Sequence, residues 1–430
     1  MNAQVEPLPE LIDESFEEAT FLWSRWEADL ASISRNLDEV WTWTEDRLGG
    51  ALDGVQLAPD AILERLTRTA LNDGNRHALS VCGHVLATAA APNARAILAE
   101  LLRASTGDKL GALVRGIEVA PLDGSFAPIT KLLTRNGPEH AAALARLKAF
   151  RRAELGAELT TAFESNVAHL QAAALRAARQ LPAQYAAAWV DAGLKHDDPA
   201  VRLAAAMTGL KQRIPNAWAA TLATARNPRP EFAALLGPVA MLGGDAEYQL
   251  IYSALAEPPV RQAAIWALGN IGTRDAAAYC IAALKHPELA KAAGEAYCAV
   301  TGADLARDRL TNPEPDETAP AFEADDLDAN LVPTPAEQWP LPNPDALREH
   351  WNKAQARFRN GVRYVRGKPA TLEALMGAVE TAPMLRRPDY VFELYVRSVG
   401  KYDVEPRTTR AVQRQMMTVG RARLTEPAAS

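Results

Sequence analysis

Seven histidines and three cysteines are the first residues to test for chemistry, because acid–base, metal and thiol reactions need such groups held close together. His77 and His84 stand seven apart, so they can share one helix face, but no carboxylate pattern accompanies them. Glu139-His140 and Glu349-His350 are far apart in sequence, and Cys82, Cys280 and Cys298 form no C-x-x-C pair. The sequence holds no glycine-rich phosphate loop and no G-x-S-x-G elbow. The expectation is a chain with no catalytic residue, no metal site and no cofactor, in which His77 and His84 serve packing or lie at the surface. Three scattered cysteines fit small core positions in a reducing cytoplasm.

Charged residues recur in a more regular way. Asp198-Pro-Ala-Val-Arg202 and Glu257-Pro-Pro-Val-Arg261 each set an acid four residues before an arginine, on one side of a helix. Asp198, Arg202, Glu257 and Arg261 are therefore expected to form a structural ladder of caps and charge pairs. The helix that carries the second pair shows its pattern clearly. Val260, Ala263, Ala264, Ala267, Leu268 and Ile271 make one apolar face, Pro259 suits the first turn, and Gly272 can close the end in a left-handed conformation. A second short helix follows with Ala277, Cys280, Ile281 and Leu284 inward. Two such helices cannot bury both apolar sides alone and must stack on neighbours.

Copies of this unit start near Asn75, Gly107, Pro138, Val167, Pro199, Pro230, Pro259 and Glu288, at intervals of about 29 to 32 residues. The expected fold is all-α, an α-α superhelix with its interior filled by Ala and Leu: apolar residues are 48% of the chain and aromatics 6%. Residues 1–74 read as a helical cap holding four of the nine tryptophans, with a turn over Leu52–Leu57 that leads into a helix near Ala61 to Leu71; residues 75–303 are the repeats. Residues 304–344 form a Pro/acid-rich linker, with Trp339 a candidate anchor, and residues 345–430 a small basic module. No apolar run spans a membrane, and the first residues lack a secretory pattern, so the expected place is the cytoplasm.

Net charge is −7, yet Asp345–Glu426 carries +7 and the remainder −14, so the two ends of the chain can attract each other or the basic end can attract an acidic partner. Within the module, residues 361–367 alternate apolar and basic side chains as an exposed strand or hairpin does. Trp351, Arg357, Arg363, Tyr364, Arg366, Arg386 and Arg387 are the candidate partner-binding residues.

The Asp198 and Glu257 openings resemble those of short HEAT repeats of the phycobilisome-lyase type. Phe16-Glu-Glu-Ala-Thr-Phe-Leu-Trp23, Leu37-Asp-Glu, Asp46-Arg-Leu48 and Leu52-Asp-Gly-Val55, together with Pro342-Asn-Pro-Asp345, Trp351, Arg357-Phe358, Arg363-Tyr364, Gly367-Lys-Pro369 and Arg386-Arg387, resemble the two ends of an uncharacterised bacterial HEAT-repeat family often encoded beside type VI secretion genes. That resemblance implies a non-enzymatic scaffold or adaptor whose partner is another protein: a type VI effector, a spike protein or a chaperone. HEAT-type hydroxylases hold two irons with repeated His-Glu pairs, an order that never occurs here. Two alternatives stay open: a HEAT-type lyase holding a small molecule in the concave groove, and nucleic-acid binding through the basic module. Acidic to neutral repeats weigh against the second.

Overall fold

The computed structural model describes residues 8–122, 126–134, 137–312 and 339–425. The described residues are all-α apart from one hairpin of two two-residue strands, and the chain divides into two compact units. Over their described residues, the first comprises Met1–Ala31, Arg35–Trp218 and Lys401–Ser430, and the second Ser32–Ser34 and Ala219–Gly400. The expected run of repeats is thus shared between two units, and the basic module does not stand alone: its first part belongs to the second unit and its last part to the first.

In the first unit, α1 (Pro9–Asp29), α2 (Leu37–Val40), α3 (Asp46–Gln56) and α4 (Asp60–Asp73) form the expected cap. A single π-helical stretch, Trp41–Glu45, joins α2 to α3. Trp23 and Trp26 are buried, and Trp23 meets the His84 ring edge-on at 5.9 Å, covering the first repeat helix, whereas Trp43 is 64% exposed. The turn expected over Leu52–Leu57 forms only at its last residue, Leu57, ahead of α4. Helix α3 runs on to Gln56, and Gly54 there lies against Ser15 of α1, where a Cβ would have no room.

The helix pairs follow as α5 (Arg76–Thr88), α6 (Ala94–Ala104), α7 (Gly107–Val119), α8 (Phe126–Leu133), α9 (Pro138–Phe150), α10 (Ala157–Phe163), α11 (Ala168–Ala178), α12 (Ala183–Leu194), α13 (Pro199–Lys211) and α14 (Pro215–Arg226). Local chemistry sets their starts: the Asn75 and Asp198 side chains accept from the first free amides of α5 and α13, and Pro138 and Pro199 sit where no amide is needed. The first helices of successive pairs, α5, α7, α9, α11 and α13, pack on one another as a continuous layer. Between α5 and α7 the backbones nearly touch. A Cβ on Gly83 would strike the Leu113 carbonyl, and one on Gly116 the Ser80 carbonyl.

In the second unit, the helix expected from Pro230 begins instead as a 3₁₀ stretch, Pro230–Leu235, before α15 (Leu236–Leu242). Pro238, without an amide, cannot donate back into the preceding turn, so a regular α-helix cannot start earlier with full bonding. Then come α16 (Asp245–Ala254), α17 (Arg261–Ile271), α18 (Arg274–Ala283) and α19 (Pro287–Thr301), and Gly272 closes α17 at φ 66° as expected.

Residues 313–338 of the expected linker lie outside the described residues. On either side of them, Thr311 bridges Pro342, and Trp339 stacks on Trp266 with ring centres 6.0 Å apart, the anchor expected of it. The unit ends with α20 (Pro344–Ala354), the hairpin strands β1 (Tyr364–Val365) and β2 (Lys368–Pro369), α21 (Leu372–Thr381) and α22 (Arg387–Arg397). Tyr364 and Val365 are buried, so the hairpin is not the exposed arm its alternation suggested. The last helix, α23 (Arg410–Thr425), returns to the first unit. Among the described residues no helix is long and apolar enough to cross a membrane.

Candidate polypeptide-binding face

Helix pairs expose the C-terminal ends of their first helices in a row, and a cation at each end faces orphan carbonyls and the negative end of the helix dipole. In the first unit these positions hold Arg115 in α7, Arg146 and Arg152 in and after α9, Arg179 after α11, and Lys211 at the end of α13. Residues 402–408, an irregular segment that closes in a turn from Glu405 to Thr408 ahead of α23, lie along this row.

Asp403 accepts from Arg152 Nε at 2.7 Å and from Lys211 Nζ at 3.3 Å; Glu405 accepts from Arg179 Nη2 at 3.1 Å and lies 3.6 Å from Arg152 Nη1. Arg115 donates to the Arg407 main-chain carbonyl at 2.7 Å and pairs with Glu27 of α1 at 2.5 Å, and the Arg407 guanidinium binds the other oxygen of Glu27 at 2.7 Å. Glu118 joins Arg115 to Arg146, and the Arg115 guanidinium also lies 5.2 Å from the Trp26 ring. Between the acids, Tyr402 and Val404 are buried. The row therefore holds two carboxylates and one carbonyl of the segment, while the Tyr402 ring lies against Gly420 of α23.

The electrostatics follow from this burial. Burial pushes the Lys211 ammonium down to about 8, with Asp403 resisting and Arg179 and Arg152 reinforcing the fall. For Asp403 burial alone raises the carboxyl, but Lys211 and Arg152 outweigh it and hold it below its ordinary value. Glu27 is likewise lowered, Arg115 and Arg407 overcoming its burial. Arg152 takes a left-handed backbone (φ 56°), a conformation that disfavours a side chain, while its guanidinium serves both acids of the segment. Beyond the segment, α23 continues the pairing: Arg410 and Arg414 hold Asp38 at 2.5 and 2.6 Å, and the Arg410 amide donates to Glu45 at 2.8 Å. The attraction between the acidic start and the basic end of the chain is realised inside the first unit.

The residues expected to bind a partner sit elsewhere and mostly face inward. Arg386 is 1% exposed, pairs with Glu295 and lies over the Trp266 ring at 3.4 Å; burial works against its charge, but Glu295 keeps the guanidinium protonated. Arg387 is also buried and donates to the Val379 carbonyl at 2.6 Å. Arg363 donates to the carbonyls of Met241, Asn270 and Ile271, closing the ends of α15 and α17, and pairs with Glu393 at 2.9 Å. Trp351 packs edge-on against Tyr297, and Tyr364 donates its amide to the Gly272 carbonyl at 2.7 Å. Arg366 is half-buried, its amide bonded to the Ala299 carbonyl, and Arg357 is exposed beside Phe358. Trp351, Tyr364, Arg386 and Arg387 thus lie in the interior of the second unit, with Arg386 ion-paired there.

The expected ladder is half as drawn. Asp198 caps α13, but the Arg202 guanidinium donates to the His196 and Asp197 carbonyls in the loop before α13, and Arg261 donates to those of Leu255 and Ala256 just after α16, so both arginines brace the loop ahead of their own helix. Glu257 makes no side-chain cap for α17, whose cap residue is Val260.

Four of the groups first tested for chemistry make packing or hydrogen-bond contacts. His84 is buried against Trp23 and pushed down to about 4, and His140 bonds the Leu102 carbonyl at 2.8 Å. His350 bonds the Tyr297 hydroxyl at 2.6 Å, and burial drives the Cys82 thiol up to about 12. Among the described residues no three His, Cys, Asp or Glu gather as metal ligands. In the second unit a cleft of about 290 Å³ is lined by Asp245, Tyr248, Tyr252, Arg274 and Asp275 among others.

Sequence reasoning missed the cation row, although a signal existed: Arg115, Arg146, Arg179 and Lys211 recur at 31, 33 and 32 residues, the interval of the repeat. No family model matches this chain, and no curated protein matches its sequence.

Proposed function

We propose that this chain is a non-enzymatic scaffold that holds another polypeptide. The observation that carries the reading is the grip of the first unit on residues 402–408, in which cations from four successive helix pairs hold carboxylates and a main-chain carbonyl of one segment. Stacked helices suit such work because recognition over a long face needs matching charge and shape, with no reacting centre. The resemblance of both chain ends to a HEAT family encoded beside type VI secretion genes makes an effector, a spike protein or a chaperone the favoured partner.

The reading is tested by purifying the tagged full-length chain from a bacterium that expresses a type VI system. It expects a component of that system bound in near-equal amount, and recovery of none would count against it.

A small-molecule function has some support in the cleft beside Asp245 and Asp275, whose about 290 Å³ reaches only the lower edge of the usual ligand-pocket range. Nucleic-acid binding draws less support, because Arg407, Arg410 and Arg414 are paired with Glu27 and Asp38.

A further inference from the structure

We infer that the cation row of the first unit docks an acidic segment of a partner protein, and that residues 402–408 occupy this face as an internal stand-in. The inference rests on the scaffold reading and adds to it the chemistry of what is held and the step that frees the face.

Asp403 and Glu405 meet Arg152, Arg179 and Lys211 together, while Tyr402 and Val404 are buried. The recognised pattern is two acids separated by one residue. Arg115 reads only a carbonyl, which any sequence offers. Take residues 402–408 away and Arg152, Arg179 and Lys211 lose the carboxylates they hold, leaving a cationic face matched to an acidic segment.

Val399 and Gly400, just before the stand-in, are both left-handed, at φ 55° and 78°. Valine is among the residues least suited to that conformation, and here it closes α22, with the Gly400 amide donating to the Tyr395 carbonyl at 2.8 Å. The segment leaves α22 at this left-handed end, and its ion pairs with Arg152, Arg179 and Lys211 are the contacts that a competing acidic segment would replace.

The probe is a fluorescent peptide of residues 401–409, Lys-Tyr-Asp-Val-Glu-Pro-Arg-Thr-Thr, added to the full-length chain at low salt and followed by anisotropy. In wild type the face is filled. In Asp403→Lys/Glu405→Lys the internal segment is repelled, and the peptide is expected to bind at least about tenfold more tightly than to wild type, an advantage lost on raising the salt. Adding Lys211→Glu to that variant is expected to weaken binding again.

A folded reversal variant that binds no better than wild type would overturn the proposal. So would equal binding of a peptide carrying Asn and Gln in place of the two acids, or wild-type dimers that exchange their ends and so make a second copy the occupant. If the reversal does not fold by circular dichroism, Asp403→Asn/Glu405→Gln gives the same readout. Recovery of a type VI component by a chain whose freed face binds no peptide would leave the scaffold reading standing and remove this one.

Discussion

The two parts of the basic C-terminal region carry similar residues and use them in opposite ways. Residues up to Gly400 turn Arg363, Arg386 and Arg387 into the interior of the second unit, where they close helix ends and meet Glu295 and Glu393. Residues after it lay Asp403, Glu405, Arg407, Arg410 and Arg414 along the helices of the first unit. A buried guanidinium with a fixed acid and an aromatic face is part of the core. The second group lies on one continuous stretch of chain, whose pairs with Arg152, Arg179 and Lys211 are largely buried and whose pairs with Asp38 are half open, and the partner each side chain meets, not composition, decides its use.

The sharpest test of that difference is Arg386→Ala. It strands Glu295 and empties the face of Trp266, so the second unit is expected to lose about 3–5 kcal/mol in denaturant unfolding. A loss under 1 kcal/mol would erase the contrast.

Acid is the next probe, and it strikes the first unit. Because His84 titrates near 4 when folded and near 6.5 when unfolded, the unfolded chain binds the proton first as the pH falls. Stability is full above about 6.5 and declines by up to about 3 kcal/mol on the way to about 4. Thermal melts across that window should show the decline, and His84→Gln should flatten it.

Asp403→Asn is expected to cost about 1–3 kcal/mol, since Lys211 and Arg152 lose a charged partner in a largely buried setting. Proteolysis after Lys401 should report it before global unfolding does. Smallest is Arg414→Ala, below about 1 kcal/mol and vanishing at high salt, because Asp38 is half exposed and keeps Arg410.

What could be read from the sequence divides along similar lines. Helix starts at Asn75, Gly107, Pro138 and Pro199 were legible because caps, prolines and apolar spacing act within one or two turns. The 3₁₀ start at Pro230 was not, since Pro238 matters only once the register is known. Arg386-Arg387 reads as an exposed basic pair because Glu295 lies 91 residues earlier, beyond any local pattern. Asp403 is 251 residues from Arg152, and the periodic cations were diluted by acids on the same repeats. Local rules thus found the frame, and the long-range charge pairing that defines the face needed coordinates.

Hydrogen exchange on the full-length chain, wild type against Arg179→Glu/Lys211→Glu, tests the charge-held segment most directly. Amides of residues 402–425 should lose protection in the variant while α17, α19 and α22 keep theirs. Unchanged protection there would mean that Tyr402, Val404 and Met417 alone secure the segment, and that the cation row grips nothing.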